Sequence, residues 1–244
     1  MMNKKKLWLA LMLSVSVMHC AHSNPGEPAV EEGKSTADLP EVYKKFVEGI
    51  TVYMDGDEVV IETRGVPNHA SPYWGVGDDL YEAPHAGMVV NPNSIAEQNL
   101  TFRLPASPKV SASISATPLG PIGVAVNGVA LYNQYAGPNQ PLEREIATFD
   151  RYHGHPQQFG QYHYHIEPVF LSTDDSKLVG FLLDGFPVYG RKDMDGSYPA
   201  ELDAANGHLG ATEDYPNGIY HYHITADEPY ISGGFRGTAG SATW

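Results

Sequence analysis

Apolar positions along the chain fall into short runs broken by glycine, proline, asparagine or aspartate, and sustained helical periodicity is almost absent. The first run, from Leu7 to Met18, follows Lys4, Lys5 and Lys6. It has the length of a signal-peptide core and is too short to span a bilayer. In "LPEVYKKFVEG" the apolar Val42, Phe46 and Val47 predict a short helix stopped by Gly49. "ITVYMDGDEVVIETRG" predicts two strands joined at Asp55-Gly56, a dipeptide that favours a two-residue hairpin turn because both positions tolerate positive φ. Further strands are predicted in "KVSASISA", "IGVAVNGVALYN" and "KLVGFLLDGFPVYG". With 25 glycines and 19 prolines punctuating these runs, the expected fold is mainly β: a single domain, β-sandwich or jelly-roll-like, with few short helices.

The N-terminal run changes the picture of where the chain works. Ala21-His22-Ser23 carries small residues at the two positions a signal peptidase reads, so cleavage is expected after Ser23. The alternative is Cys20 as the acylated residue of a lipoprotein, which bulky His19 in "VMHC" disfavours. Residues 24–40 then form a flexible lead-in to a β-rich domain over 41–244. The expected location is secreted or periplasmic. Cleavage there removes the one cysteine, so any metal must be held by nitrogen and oxygen. It leaves 12 basic residues against 29 acidic ones, a charge of −17, which repels nucleic acid and anionic lipid. No later segment reads as a transmembrane anchor.

The candidate chemistry lies in a repeat. "GQYHYHIEP" starts at Gly160 and returns 58 residues later as "GIYHYHITA" from Gly218. Upstream of each, Asp150 to His155 and Asp203 to His208 share the pattern D-x3-G-H. Two copies are too few for a solenoid, and they fit a pair of half-sites, over 150–166 and 203–224. In a strand, His163 and His165 point one way and Tyr162 and Tyr164 the other, with alternate residues roughly 6.5 to 7 Å apart. That spacing lets two imidazoles converge on one ion while the tyrosines back the site. His221 and His223 repeat the arrangement. If the two strands adjoin, four imidazoles meet.

His163, His165, His221 and His223 are therefore the expected metal ligands, for a divalent transition ion, zinc or copper. Asp150, Asp203, His155 and His208 are the expected catalytic residues. The glycine before each of these histidines lets its loop approach closely, and the aspartates could bind metal, orient an imidazole or form Asx-turns. The competing reading of the whole set is a Tyr/His hydrogen-bond network without an ion. His153 breaks the repeat, its counterpart being Asn206, and is expected to be peripheral. His69, in "GVPNHASPYWG", reads as a surface loop histidine or a pocket residue, and Asp184, in "LLDGFPVYG", as a turn former or a site residue. His85 and Asp78-Asp79 have no usable spacing. There is no G-x-S-x-G elbow, phosphate-binding glycine loop, H-E-x-x-H or Cys/His pair.

Several segments resemble the bacterial secreted proteins named YHYH domain proteins: "GVPNH", "NPNSIAEQ", "GPIGVAVNGVALYN", "DGFPVYG", "LDAANGH", both "YHYH" copies and "GGFRG". The resemblance runs from about Thr51 to Gly237 and implies no established activity. It implies cysteines, in many members, where this chain has Ala205 and Gly234, so a disulfide of the family is missing here.

Two functions are expected from the residues. One is a metal-dependent hydrolase acting on a small molecule or an extracellular polymer, with water activated at a histidine-held ion. The other is a non-enzymatic copper or zinc binder of the cell envelope, for which the scattered Met54, Met88 and Met194 provide no copper(I) cluster. Carbohydrate binding through Tyr73 and Trp74 is a third, weaker reading.

Overall fold

A computed structural model describes residues 34–138 and 140–244. The expected signal segment and cleavage site, Cys20 and the expected lead-in up to residue 33 lie outside them. Strands β1 (Thr51–Asp55), β2 (Glu58–Thr63) and β3 (Leu100–Pro105) come first. They are followed by β4 (Gly123–Ala125), β5 (Ala130–Leu131), β6 (Tyr135–Gly137), β7 (Gln140–Pro141), helix α1 (Glu143–Ile146), β8 (Gly154–Pro156) and β9 (Tyr162–Tyr164). The chain ends with β10 (Leu178–Leu182), β11 (Pro187–Tyr189), β12 (Gly207–Gly210), β13 (Ile219–His223) and β14 (Ser241–Thr243). A small sheet has the order β1-β2-β3-β14 and a large one the order β12-β13-β11-β10-β4-β5-β9-β8, with β6 and β7 forming a separate ribbon.

The fold is mainly β and sandwich-like. Ile61, Leu100 and Phe102 of the small sheet join Val124, Phe181, Val188, Tyr164 and Tyr222 of the large one in a single buried apolar cluster. The first hairpin forms, but one residue further along than its dipeptide suggests. Asp55 pairs with Glu58, so the two turn residues are Gly56 and Asp57, and only Gly56 takes positive φ, at 64°. The helix expected around Val42 shrinks to a 3-10 turn over Glu41–Lys45, whose Tyr43 stacks on Phe181 at 4.2 Å. "KVSASISA" forms no strand. It bends at Ala112 and Ser113, its one bridge is Ser115 to Phe235, and Val110 remains 51% exposed.

The large sheet reads the same from both edges. Exchanging β4, β5, β9 and β8 for β10, β11, β13 and β12 reproduces its order. At the centre β4 and β10 run antiparallel, pairing Gly123 with Leu182, Val124 with Phe181 and Ala125 with Gly180. Adding 57 to a residue number carries Gly123 to Gly180, Val124 to Phe181 and Ala125 to Leu182. The pair Val124/Phe181 is thus its own image, and a pseudo-two-fold axis passes through it, perpendicular to the sheet. The same shift carries Asn127-Gly128 onto Asp184-Gly185. Both are three-residue hairpin loops whose glycine has positive φ, 81° and 83°. The repeat is therefore wider than D-x3-G-H and YHYH: it begins at Gly123 and at Gly180.

Each copy builds its half-site identically. β5 pairs in parallel with β9, and β11 with β13; β8 and β12 then add antiparallel on the outside. Asn127 donates from Nδ2 to the Tyr164 hydroxyl at 3.2 Å, and the equivalent Asp184 accepts from the Tyr222 hydroxyl at 2.6 Å. These bonds seat the tyrosines in the core, and strand alternation then turns the histidines to the opposite side.

Candidate metal centres

In both copies the third imidazole arrives by cross-strand pairing. His155 on β8 lies directly opposite His163, and His208 on β12 directly opposite His221. In the first cluster the Nε2 atoms of His155 and His163 are 3.2 Å apart, and those of His163 and His165 are 3.0 Å apart. In the second, Nε2 of His208 lies 3.1 Å from that of His221 and 3.2 Å from that of His223. Four ligands set tetrahedrally at about 2.0 to 2.1 Å from an ion stand about 3.3 Å from one another. The nitrogens are thus spaced as ligands of one ion.

Their hydrogen-bond partners decide what the contacts are. Nδ1 of His163 faces the carbonyl of Gln161 at 3.1 Å, and Nδ1 of His165 that of Asn133 at 2.6 Å. Carbonyls only accept, so both Nδ1 atoms carry protons and both Nε2 atoms present lone pairs. The Thr148 hydroxyl donates to the Glu145 carbonyl at 2.7 Å, so it accepts from His155 Nδ1, also at 2.7 Å. Three lone pairs therefore converge with no proton between them. In the second cluster, His221 and His223 donate from Nδ1 to the carbonyls of Ile219 at 3.0 Å and Gly190 at 2.8 Å.

Burial, followed by neighbouring imidazoles, lowers His155 to about 3 and pushes His163 well below its usual value; burial lowers His165 to about 4 and His221 to about 4. Neutral, orientation-locked imidazoles are what a metal requires, and either cluster could hold a metal ion. The same shifts set the acid response of metal-free protein. The unfolded histidines bind protons below about pH 6.5 and the folded ones do not. Stability is therefore fully present above pH 6.5 and falls as the pH drops toward 4. Melting curves of chelator-treated protein between pH 8 and 4.5 should show this decline, and a flat profile would contradict it.

Each cluster also has a carboxylate that nothing in the repeat announces. Asp193 Oδ1 lies 3.2 Å from His208, 3.9 Å from His221 and 3.3 Å from His223, measured to Nε2. It belongs with those histidines to a group whose ligand atoms all fall within 4.8 Å of one another. Glu145, on α1, lies 3.5 Å from His155 and 3.6 Å from His165 but outside the corresponding group of three histidines. The first cluster opens, with Glu145 at its rim, into a pocket of about 560 Å³ lined also by Tyr132, Asn91, Asn93 and Gln157.

A family model described as YHYH protein matches residues 101–200 and 193–237, more than half of the chain and both histidine clusters. The chain belongs to the YHYH family. Comparison with curated proteins and with solved structures finds no match.

The four YHYH histidines do not share one cavity. Four strands, β11, β10, β4 and β5, separate β13 from β9, about 24 Å along the sheet at the usual strand spacing, so there are two sites. His155 and His208, expected to act beside the ion, stand within the groups that could hold it. Asp150 and Asp203 are far from this role because their glycine turns hold them on the tyrosine side. Asp150 Oδ1 accepts from the backbone of Tyr152 at 2.9 Å and Gly154 at 3.3 Å, and Asp203 Oδ1 accepts from Ala205 at 2.9 Å and Gly207 at 3.3 Å. These are Asx-turns, and they explain why His153 and Asn206 share a positive φ, 67° and 65°. The remaining oxygens accept from Tyr162 at 2.7 Å and Tyr220 at 3.0 Å.

Two residues ahead of the matched segments, His69 and Tyr73, are buried. His69 is buried rather than on the surface, its Nε2 2.8 Å from the Tyr164 hydroxyl. Tyr73 is buried too, donating to the Thr148 carbonyl at 2.5 Å, which removes it from any exposed sugar platform. Ala205 and Gly234, where the resemblance implies cysteines, are neighbours here through Ser232, whose Oγ lies 3.1 Å from the Ala205 oxygen and 2.7 Å from the Gly234 oxygen. No helix among the described residues is long and apolar enough to cross a membrane.

Proposed function

We propose that the protein is an exported metalloenzyme, a metal-dependent hydrolase whose centre is His155, His163 and His165. The observation that carries this reading is the set of three fixed imidazole lone pairs at the floor of a pocket, with a carboxylate at its rim and not among them. A bound divalent ion, zinc or copper by its ligand type, would supply Lewis acidity and lower the pKa of water at the open position. The chain's own residues do the rest. Burial raises the Glu145 carboxyl above the usual range, which suits it to take a proton from that water and pass it to the leaving group. Tyr132 stacks on His163 at 4.1 Å and holds its ring, and burial pushes its phenol up to about 12, so the phenol stays protonated where the pocket needs a donor. Export is supported by Lys4–Lys6 and the apolar run that follows them.

The test is a screen of metal-loaded protein against phosphate mono- and diesters, carboxyl esters and amides, with zinc, manganese and copper in turn. On any hit, Glu145→Gln should retain the ion and lower kcat by about 10² to 10⁴. Tight metal binding with no turnover of any class would overturn the hydrolase and leave the envelope metal binder.

A further inference from the structure

The second cluster differs from the first in how its fourth direction is filled. We propose that Asp193, His208, His221 and His223 form a closed, non-catalytic metal site that takes a tetrahedral divalent ion of the zinc class and fastens the loop from Gly190 to Ser197 to the edge of the large sheet. One oxygen, Asp193 Oδ1, stands 3.2, 3.9 and 3.3 Å from the three Nε2 atoms, close to the spacing of about 3.3 Å between ligands around a four-coordinate ion. Protein atoms thus fill all four directions, and no position is left for substrate.

Charge points the same way. Among the described residues no lysine or arginine pairs with Asp193. Its neighbour Lys192 turns away to Asp175 at 2.9 Å. The carboxylate instead faces His221 and His223, whose Nδ1 protons are already given to carbonyls. A partly buried carboxylate, 23% exposed, set against imidazole lone pairs is repulsive unless a cation lies between them. The loop is built to deliver this side chain: Asp193 donates its N–H to the Ser197 carbonyl at 2.9 Å, and Asp195 caps Ser197 at 2.8 Å from the backbone nitrogen. Met194, at the tip, points outward and is 58% exposed. Gly210 keeps the imidazoles' space clear, since a Cβ there would lie 3.2 Å from His221 Cε1 and 3.5 Å from His208 Nε2.

The metal-free alternative has His208 donating from Nε2 to Asp193, and the experiment separates the two. Full-length protein is loaded with cobalt(II), and the ion count, the visible absorption and the thermal midpoint are read together. The closed site predicts an intense four-coordinate band that survives His163→Ala and is lost when His221→Ala is added to it, with the thermal midpoint of His163→Ala still raised by the metal. Asp193→Asn, on an outer loop and safe for folding, should weaken that ion at least tenfold and lose the metal-dependent rise in midpoint. The inference fails if His163→Ala protein binds no cobalt, or if Asp193→Asn holds the ion as tightly as wild type. Neither readout depends on turnover at the first site, so a failure of the hydrolase reading leaves this one standing, and the reverse.

Discussion

His163→Ala is expected to empty the first cluster and to abolish turnover, while the fold and the second cluster's ion persist. His163 is the middle ligand: both nitrogen contacts in the cluster, 3.2 Å to His155 and 3.0 Å to His165, are its own. Without it two imidazoles remain, which is too few to hold a divalent ion against water. Losing the several kcal/mol of charge stabilisation an ion supplies corresponds to a rate loss of about 10³-fold or more. Metal analysis and steady-state kinetics on the same preparation check this, with Tyr164→Phe as a comparison that keeps every ligand. A variant that retains two tightly held ions, or wild-type turnover, would refute the assignment of the centre.

The largest loss of stability is expected from Asp184→Ala. This carboxylate is fully buried and collects the Tyr222 hydroxyl at 2.6 Å and the backbone N–H groups of Arg236 and Gly237, each at 2.9 Å. Alanine leaves the Tyr222 hydroxyl proton and the Gly237 N–H without an acceptor inside the core, at about 1 to 3 kcal/mol each, while the Arg236 N–H keeps the Tyr222 oxygen at 2.8 Å. A total of about 4 kcal/mol is a large part of the 5 to 15 kcal/mol that holds a domain together. Urea denaturation should show an unfolding free energy lower by that amount, and a loss below about 1 kcal/mol would mean that water replaces the carboxylate. Through Tyr222 the substitution also loosens β13, so metal at the second cluster should exchange faster.

These two residues show what the sequence carries openly and what it hides. His163 was legible because strand alternation is local: in Tyr-His-Tyr-His the period of two places both imidazoles on one face whatever the rest of the chain does. Asp184 was legible as a turn former or a site residue but not as a core acceptor, since its partners come from Tyr222 and from the segment 236–237, far along the chain. The single four-histidine site failed for a related reason. Strand order is a long-range property, and nothing within either copy states that four strands lie between them. Asp150 and Asp203 drew attention because they repeat, yet what repeats is the turn that brings His155 and His208 across from their partners. Glu145 and Asp193 were missed because the carboxylates do not repeat at all: one follows Tyr132 by 13 residues and the other follows Tyr189 by four. Between Gly123–Asn133 and Gly180–Gly190 only three of eleven residues are identical, Gly123, Gly128 and Tyr132. The larger repeat becomes visible through its pairing pattern.

The seam between β4 and β10 has a meaning beyond holding the sheet together. Gly123 against Leu182 and its image Gly180 against Ala125, either side of Val124 against Phe181, make an isologous interface, the kind by which two identical subunits associate. Here both subunits are one polypeptide. Joining them turns a bimolecular encounter into an intramolecular closure, at an effective concentration in the millimolar range, so the assembled sheet does not depend on how dilute the protein is. It also removes a restriction that every homodimer carries, in which any change to one subunit's site appears in the other. Covalent linkage lets one copy carry Asp193 and the other Glu145, so two sites built on the same three histidine positions can differ in the carboxylate beside them.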